Sequence, residues 1–260
     1  VFFPPQAAPP DPLWSRGLGD VYKRQDQGIP GTRQTLQGPF GFFALFEGEH
    51  NLDAVLPQLG KIWRITEVAH KPFPSGRATH GIVDACLTLR EQNTLSAREI
   101  RQVRARVPPL TYHLVGRPVM AEMDTNYARL CARFVAARAL IAGNVTSEDF
   151  DSEGLRDSNA LELAQRIEIA VDNNPDPNAL SPIELEIEDC DNQLALIKIE
   201  TVYGHPDKPM SRAGWLDKFR RNWRRSAVQL SDEICESVIA QIDSLPSVDD
   251  SATLIDKLVP

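Results

Sequence analysis

The sequence predicts an α+β fold, in which helices pack on a small sheet. The segment 183–188 alternates Ile and Leu with Glu, and a second strand follows after a polar turn. This pattern is typical of a hairpin with one buried face and one solvent face. The segment 126–141 repeats apolar residues at helical spacing, which predicts a long helix that covers the sheet. The predicted order of helix, strand, helix, two strands and final helices indicates α+β.

The other elements follow from local spacing and from capping signals. Apolar spacing predicts a short helix over 51–59, and the segment 61–70 fits a strand or an extended approach. A helix over 82–90 is expected to be capped by Thr79 and to end at Asn93-Thr94. Further strands are predicted over 100–107, 167–171 and 196–202. Further helices are predicted over 159–165, from Ser211 to about 225, and from Ser231 to about 244.

Composition excludes several classes of protein. The chain has 260 residues, with 42% hydrophobic and 25% charged residues, which is typical of a globular protein of one large or two small domains. The net charge of −8 disfavours nucleic acid as a partner. The longest uncharged apolar run, 40–46, is far too short to span a membrane. We therefore expect neither a nucleic acid nor a membrane as a partner.

Residues 1–25 do not have the pattern of a natural domain. Residues 1–12 contain five prolines and no periodicity, and they lack the basic start and apolar core of a signal peptide. The stretch 17–25 resembles a translated sequencing adaptor. We expect 1–25 to be a non-native or disordered leader, and the natural sequence to begin near Asp26.

The four cysteines do not form a metal or redox motif. They stand at positions 86, 131, 190 and 235, so no CxxC spacing occurs. Cys86, Cys131 and Cys235 fall in helical apolar patterns and are predicted to be buried free thiols. Free thiols suit a reducing compartment, and we expect a cytoplasmic protein.

The most informative segment is the basic loop from Lys71 to His80. Together with His70 it brings four potential cations into eleven residues of an acidic chain, and prolines 72 and 74 stiffen its backbone. A helix start follows, whose free N–H groups favour anions. Arg77 is suited to bidentate carboxylate binding, and His80 could act as a general acid or base. The loop is predicted to bind a carboxylate-rich ligand; an ordinary charged surface loop is the alternative.

Three other groups of polar residues have weaker signals. Tyr112, His113 and Arg117 converge in a predicted loop after a Pro-Pro break and are candidate ligand contacts, although an ordinary loop remains the simpler interpretation. The segment 172–178 resembles half of a calcium loop but lacks its glycine and its final Glu, so we reject calcium there. The arginines of 220–225 could contact RNA, but a solvated or interface helix face fits the acidic chain better.

Two strings together point to one family. The string 71–80 with Asp84 resembles the signature loop of the MmgE/PrpD family, and the loop 203–211 is similar to another segment of that family. The resemblance covers about 38–245. It implies lyase chemistry without a cofactor or metal, of the 2-methylcitrate dehydratase or cis-aconitate decarboxylase type. Proton abstraction and donation next to carboxylates would carry this chemistry, in a cytoplasmic homodimer that assembles through its helical domain.

The resemblance also implies a domain arrangement and a set of site residues. It places the end of an all-α domain at 26–65, an α+β lid domain at 66–203, and helices that return to the all-α domain at 204–260. It implies Lys71 and His80 as catalytic residues. The implied substrate contacts are Ser75, Arg77, Tyr112, His113 and Arg117.

The resemblance leaves the activity of this chain open. Other active-site residues of the family lie in an earlier part of the helical domain, so we expect this chain to be inactive alone. Dehydration, decarboxylation and epimerisation all remain possible. The alternative from another class is a non-catalytic carboxylate-binding module, which would bind without turnover.

Overall fold

The computed structural model describes residues 27–28, 35–39, 41–47, 51–92 and 96–259. The predicted leader 1–25 and the predicted helix end at Asn93-Thr94 lie outside these residues. The chain divides into two compact units at the junction of residues 63 and 64. The described part of the first unit contains a π-helical turn over Phe43–Glu47, helix α1 over Leu52–Val55 and a 3-10 turn over Leu56–Gln58.

The second unit contains a four-stranded mixed sheet. Its strands are β1 (Ile100–Val107), β2 (Ile167–Val171), β3 (Ile183–Asp189) and β4 (Leu194–Ile199), and they lie side by side in the order β2-β1-β3-β4. β1 pairs with β2 in parallel and with β3 antiparallel, and β3 and β4 form an antiparallel hairpin. The mixed sheet and the surrounding helices confirm the predicted α+β class, including the hairpin.

In β1 and β3 the two faces of the sheet have opposite chemistry, as the alternating sequence predicts, whereas β4 exposes Leu194 and Leu196. One face buries Val103 against Ile167 and Ile187, in register across three strands. On the other face, Arg104 on β1 pairs with Glu186 on β3 at 2.7 Å. Because such exposed pairs contribute little, the apolar face provides most of the stabilisation of the sheet.

Several helices of the second unit pack against the sheet. The α-helices described in this unit are α2 His80–Gln92, α3 Pro109–Val115, α4 Thr125–Arg129, α5 Ala132–Ala142, α6 Ser158–Gln165, α7 Arg212–Arg224, α8 Asp232–Asp243 and α9 Ala252–Asp256. Helix α2 packs against β3, β4 and α5, and α5 packs against β2 and α6. Ser211 and Ser231 cap α7 and α8 by accepting the N–H groups of Gly214 and Ile234, as predicted.

Besides the loop predicted at Tyr112, which is described with the site, three local predictions differ from the structure. The helix expected over 126–141 is two helices, because the chain breaks at Leu130-Cys131 and Asp124 caps the first of them. The segment 61–70 was expected to be a strand or an extended approach; it contains no strand but a 3-10 turn over Arg64–Glu67, and residues 68–70 after it have no regular secondary structure. Thr79 does not cap α2, since it lies inside a 3-10 turn over Arg77–Thr79 that leads directly into the helix.

Two further observations concern the described residues as a whole. Cys86, Cys131 and Cys235 are buried and unpaired, as predicted, and Cys190 is exposed and unpaired. Among the helices that the structure describes, none is both long and apolar enough to cross a bilayer.

Candidate functional site

Backbone hydrogen bonds fix the basic loop at the residue before its start and at its middle. The N–H of His70 donates to the carbonyl of Gly204 at 2.7 Å, which joins the loop to the 203–208 segment. The N–H of Gly76 donates to the carbonyl of Arg129 at 2.8 Å, at the break between α4 and α5. The broken helix therefore exposes a carbonyl that holds the loop. The local sequence signals neither the break nor this contact.

Small polar side chains hold the middle of the loop. The Thr79 hydroxyl donates to the Gly76 carbonyl at 2.8 Å, and the Ser75 hydroxyl lies 2.7 Å from Thr79 Oγ1. Ser75 and Thr79 are almost completely buried. Ser75, predicted to contact a substrate, is therefore engaged inside the loop in this structure. The two hydroxyls make the turn before α2 rigid, because both are satisfied without solvent.

His80 lies beneath the loop and has no exposed surface. Its Nε2 donates to the Ser75 carbonyl at 3.3 Å, and its ring meets the Phe73 ring edge-on with centroids 5.4 Å apart. Its Nδ1 is buried and has no hydrogen-bond partner among the described residues. Burial, together with the nearby charges of Arg77 and Lys71, lowers the pKa of His80 to about 4. The imidazole is therefore neutral at pH 7.

The two permanent cations of the loop lack carboxylate partners. Lys71 is exposed and Arg77 is half-buried. Neither forms an ion pair within the described part of the chain, and Arg77 Nη1 is buried without a hydrogen-bond partner there. Burial lowers the pKa of the Arg77 guanidinium, because its charge is incompletely solvated. Each of these cations is therefore available to an anion.

An ion pair with a buried carboxylate connects the loop region to the segment 203–208. Asp84 on α2 accepts from Lys208 Nζ at 2.7 Å and from the Tyr203 N–H at 2.8 Å. Gly204 has φ +94, and a Cβ there would lie 2.4 Å from the His70 carbonyl oxygen. The close approach therefore requires glycine. These contacts hold together two segments that lie more than 100 residues apart in the sequence.

The second predicted cluster lies on a neighbouring helix instead of a loop. Pro109 starts α3, at a position where proline is favoured. The helix packs against the Arg77–Thr79 turn and leaves Tyr112 and His113 exposed. Arg117 follows α3 and stacks over Tyr127 at 4.9 Å. The structure thus brings the two predicted clusters close, but no hydrogen bond or ion pair between described residues joins them.

Two other candidate groups have structural roles. The arginines 220, 221, 224 and 225 each pair with a carboxylate, on residues 236, 217, 232 and 151 respectively. The Asp172, Asp176 and Asn174 side chains accept backbone N–H groups two residues ahead, which organises the loop before β3. No cluster of metal-ligating side chains occurs within the described residues.

Sequence comparison assigns this chain to a known group of proteins. The MmgE/PrpD C-terminal domain matches residues 73–242. The chain belongs to the MmgE/PrpD family. The match begins inside the basic loop and includes the whole sheet, the segment 203–208 and helices α7 and α8 up to residue 242. The resemblance predicted from the two strings is therefore confirmed.

Curated relatives of this MmgE/PrpD chain carry the name cis-aconitate decarboxylase. The protein from Mus musculus is 29% identical over 239 residues, which cover 87% of this chain and 47% of the relative. The protein from Homo sapiens is 28% identical over 237 residues, with the same coverage. The chain spans about half the length of the curated relatives that it matches.

The site of this MmgE/PrpD chain contains a contact that local sequence reasoning missed. The ammonium group of Lys218 on α7 donates a hydrogen bond to the backbone carbonyl of Lys71. The same helix also carries four arginines, so charge alone does not single out this residue. Its position is set by tertiary packing, since the neighbouring Trp215 meets the His70 ring at 4.6 Å.

The buried His80 makes the stability of this MmgE/PrpD chain depend on pH. The unfolded imidazole has a pKa near 6.5 and the folded one a pKa of about 4, so the unfolded state binds more protons between these values. The contribution is complete above pH 6.5 and is lost as the pH falls towards 4, by about 3 kcal/mol in total. Urea unfolding from pH 7 to 4 should show this loss, with a flatter profile for His80→Gln. Parallel profiles for the two proteins would contradict it.

Proposed function

We propose that this chain forms the lid side of a lyase that acts on polycarboxylates, of the cis-aconitate decarboxylase or 2-methylcitrate dehydratase type. The observation that carries the proposal is the pair of cations, Lys71 and Arg77, on a rigid loop without carboxylate partners in the described chain. The family membership and the names of the relatives support lyase chemistry.

The two cations suit a reaction that creates negative charge next to a carboxylate. Removal of a proton or of CO₂ beside a carboxylate places additional charge on its oxygens in the transition state. Fixed cations stabilise that charge without reorganisation, and enzymes often gain more rate from such stabilisation than from any other effect. We assign direct contact with the reacting carboxylate to Lys71, and binding of a carboxylate to Arg77. This role needs no cofactor.

We assign a different role to His80 from the one that the sequence predicts. Its imidazole is buried and neutral, and its Nε2 N–H donates a hydrogen bond to the Ser75 carbonyl. A group without exposed surface does not contact a substrate in this arrangement. We therefore propose that His80 positions the loop, while Tyr112, His113 and Arg117 remain candidates for the outer edge of the site.

The domain arrangement, the oligomeric state and the compartment are part of the same proposal. We propose that the second unit contributes the lid over 66–203, and that residues 204–260 contact a helical domain that completes the site. Turnover then requires the portion of the relatives that this chain does not cover, and a homodimer in the cytoplasm forms through that portion. An epimerase of the same family would use the same carboxylate contacts, so product analysis has to decide the reaction.

Binding of an unreactive tricarboxylate tests the proposal directly. The 260-residue chain should bind tricarballylate in calorimetry, and the affinity should fall with added salt because the contacts are ionic. Butyrate, with one carboxylate, should bind at least about tenfold more weakly. The complete protein should consume cis-aconitate or 2-methylcitrate without added metal. Binding without turnover would support the non-catalytic module instead, and a chain that binds no carboxylate would refute both.

A further inference from the structure

A small cavity lies between the basic loop and helix α7. Its volume is about 140 Å³. Its walls come from the loop segment 71–74, from the segment 145–148 and from Lys218, Arg221 and Asn222 on α7. A cavity of roughly 150 Å³ holds a ligand of about six heavy atoms. The space therefore accommodates one arm of a small organic acid.

The cavity brings two ammonium groups together without a neutralising carboxylate. Lys218 donates to the Lys71 carbonyl and lies 5.8 Å from the centre of the Trp215 ring. Neither lysine forms an ion pair within the part of the chain that the structure describes. Burial lowers the pKa of Lys218, and the charge of Lys71 lowers it further. Two close like charges are unfavourable unless an anion lies between them.

The other charged groups in the wall are engaged elsewhere. Arg221 pairs with Asp217 at 2.7 Å, one turn earlier on the same helix. Glu148 pairs with Arg225 at 3.3 Å. The one carboxylate in the described wall is therefore held by a cation outside it, and the charge of the cavity remains positive.

We propose that this cavity binds one carboxylate of the polycarboxylate between Lys71 and Lys218, so that helix α7 supplies a substrate contact. The inference rests on the proposed function and extends it, because it divides the acid between the cavity, which α7 helps to form, and Arg77 on the loop. One carboxylate lies in the cavity, and another meets Arg77 beyond it. A ligand with two or more carboxylates is then preferred over one with a single carboxylate.

Substitutions at Lys218 distinguish its proposed contact with a carboxylate from its hydrogen bond to the Lys71 carbonyl. Lys218→Gln keeps a donor for the Lys71 carbonyl but removes the charge, and it should weaken tricarballylate binding at least about tenfold. Lys218→Arg keeps the charge and should stay within about threefold of the unchanged chain. The matched control is Arg224→Met on the same helix, whose guanidinium pairs with Asp232 outside the cavity. It should leave binding unchanged within about twofold.

The outcomes distinguish this inference from the proposed function. If Lys71→Met abolishes binding while Lys218→Gln binds like the unchanged chain, the α7 contact is overturned and the proposed function stands. If the unchanged chain binds no tricarballylate, both fail. If Arg224→Met weakens binding as much as Lys218→Gln, the effect is long-range electrostatics, and the cavity site is overturned. The urea midpoints of all variants show whether each retains its fold.

Discussion

Replacing Lys71 with Met should lower turnover of the complete protein on the order of 100-fold or more, with the fold retained. The expected loss is large because the ammonium is placed next to developing charge, and removal of one such donor typically has this effect. The stability should change little, since the side chain is exposed and forms no ion pair with a described residue. Initial rates with cis-aconitate and 2-methylcitrate, together with urea unfolding, measure the two quantities.

Two control variants make this result specific. Lys198→Met removes the same charge from the edge strand β4, where the lysine pairs with Glu200. It should retain turnover within about twofold, because exposed pairs of this kind contribute little. Lys71→Arg should retain part of the activity, since the positive charge remains but the planar guanidinium differs in shape from the ammonium. If Lys71→Met retains full turnover, the loop does not carry the reaction and the lyase assignment loses its main support.

The sequence correctly predicted the elements that depend on neighbouring residues alone. The hairpin β3-β4 was predicted because β3 alternates apolar and charged residues, and that alternation is independent of distant contacts. The caps Ser211 and Ser231 were predicted for the same reason. The break between α4 and α5 was missed, because the apolar spacing of 126–141 continues through it. The Arg129 carbonyl at the break accepts a hydrogen bond from Gly76, more than 50 residues away, and local spacing does not reveal such a contact.

In the candidate site, too, the sequence predicted what is local and missed what depends on distant contacts. Lys71, Ser75, Arg77 and His80 belong to one short segment, so the sequence could place them together. It could not show that the Ser75 and His80 side chains are buried while the Lys71 side chain is exposed. Each side chain can adopt several rotamers, and the tertiary structure selects one of them. The sequence also could not place Lys218 beside Lys71, since that contact joins residues 147 apart. Burial and long-range pairing are what the three-dimensional structure adds.

The largest effect on stability is expected at the ion pair of Asp84 and Lys208. Lys208→Met should lower the free energy of unfolding by on the order of 3 kcal/mol, because it leaves the Asp84 carboxylate buried with only the Tyr203 N–H as a partner among the described residues. Asp84→Asn should cost less, about 1 kcal/mol, since an amide oxygen can still accept that N–H and no buried charge remains. Urea unfolding at pH 7 measures both.

The double variant decides whether a stranded charge causes the loss. If it does, Asp84→Asn with Lys208→Met should be more stable than Lys208→Met alone, although it carries one more substitution. Simple addition of the two losses would instead mean that the residues act independently, and the pair would not connect α2 to the segment 203–208. The same cycle bears on the site, because the Gly204 carbonyl holds the N–H of His70 at the start of the loop. We therefore expect Lys208→Met to weaken tricarballylate binding as well as stability, and the double variant to bind tricarballylate more tightly than Lys208→Met does.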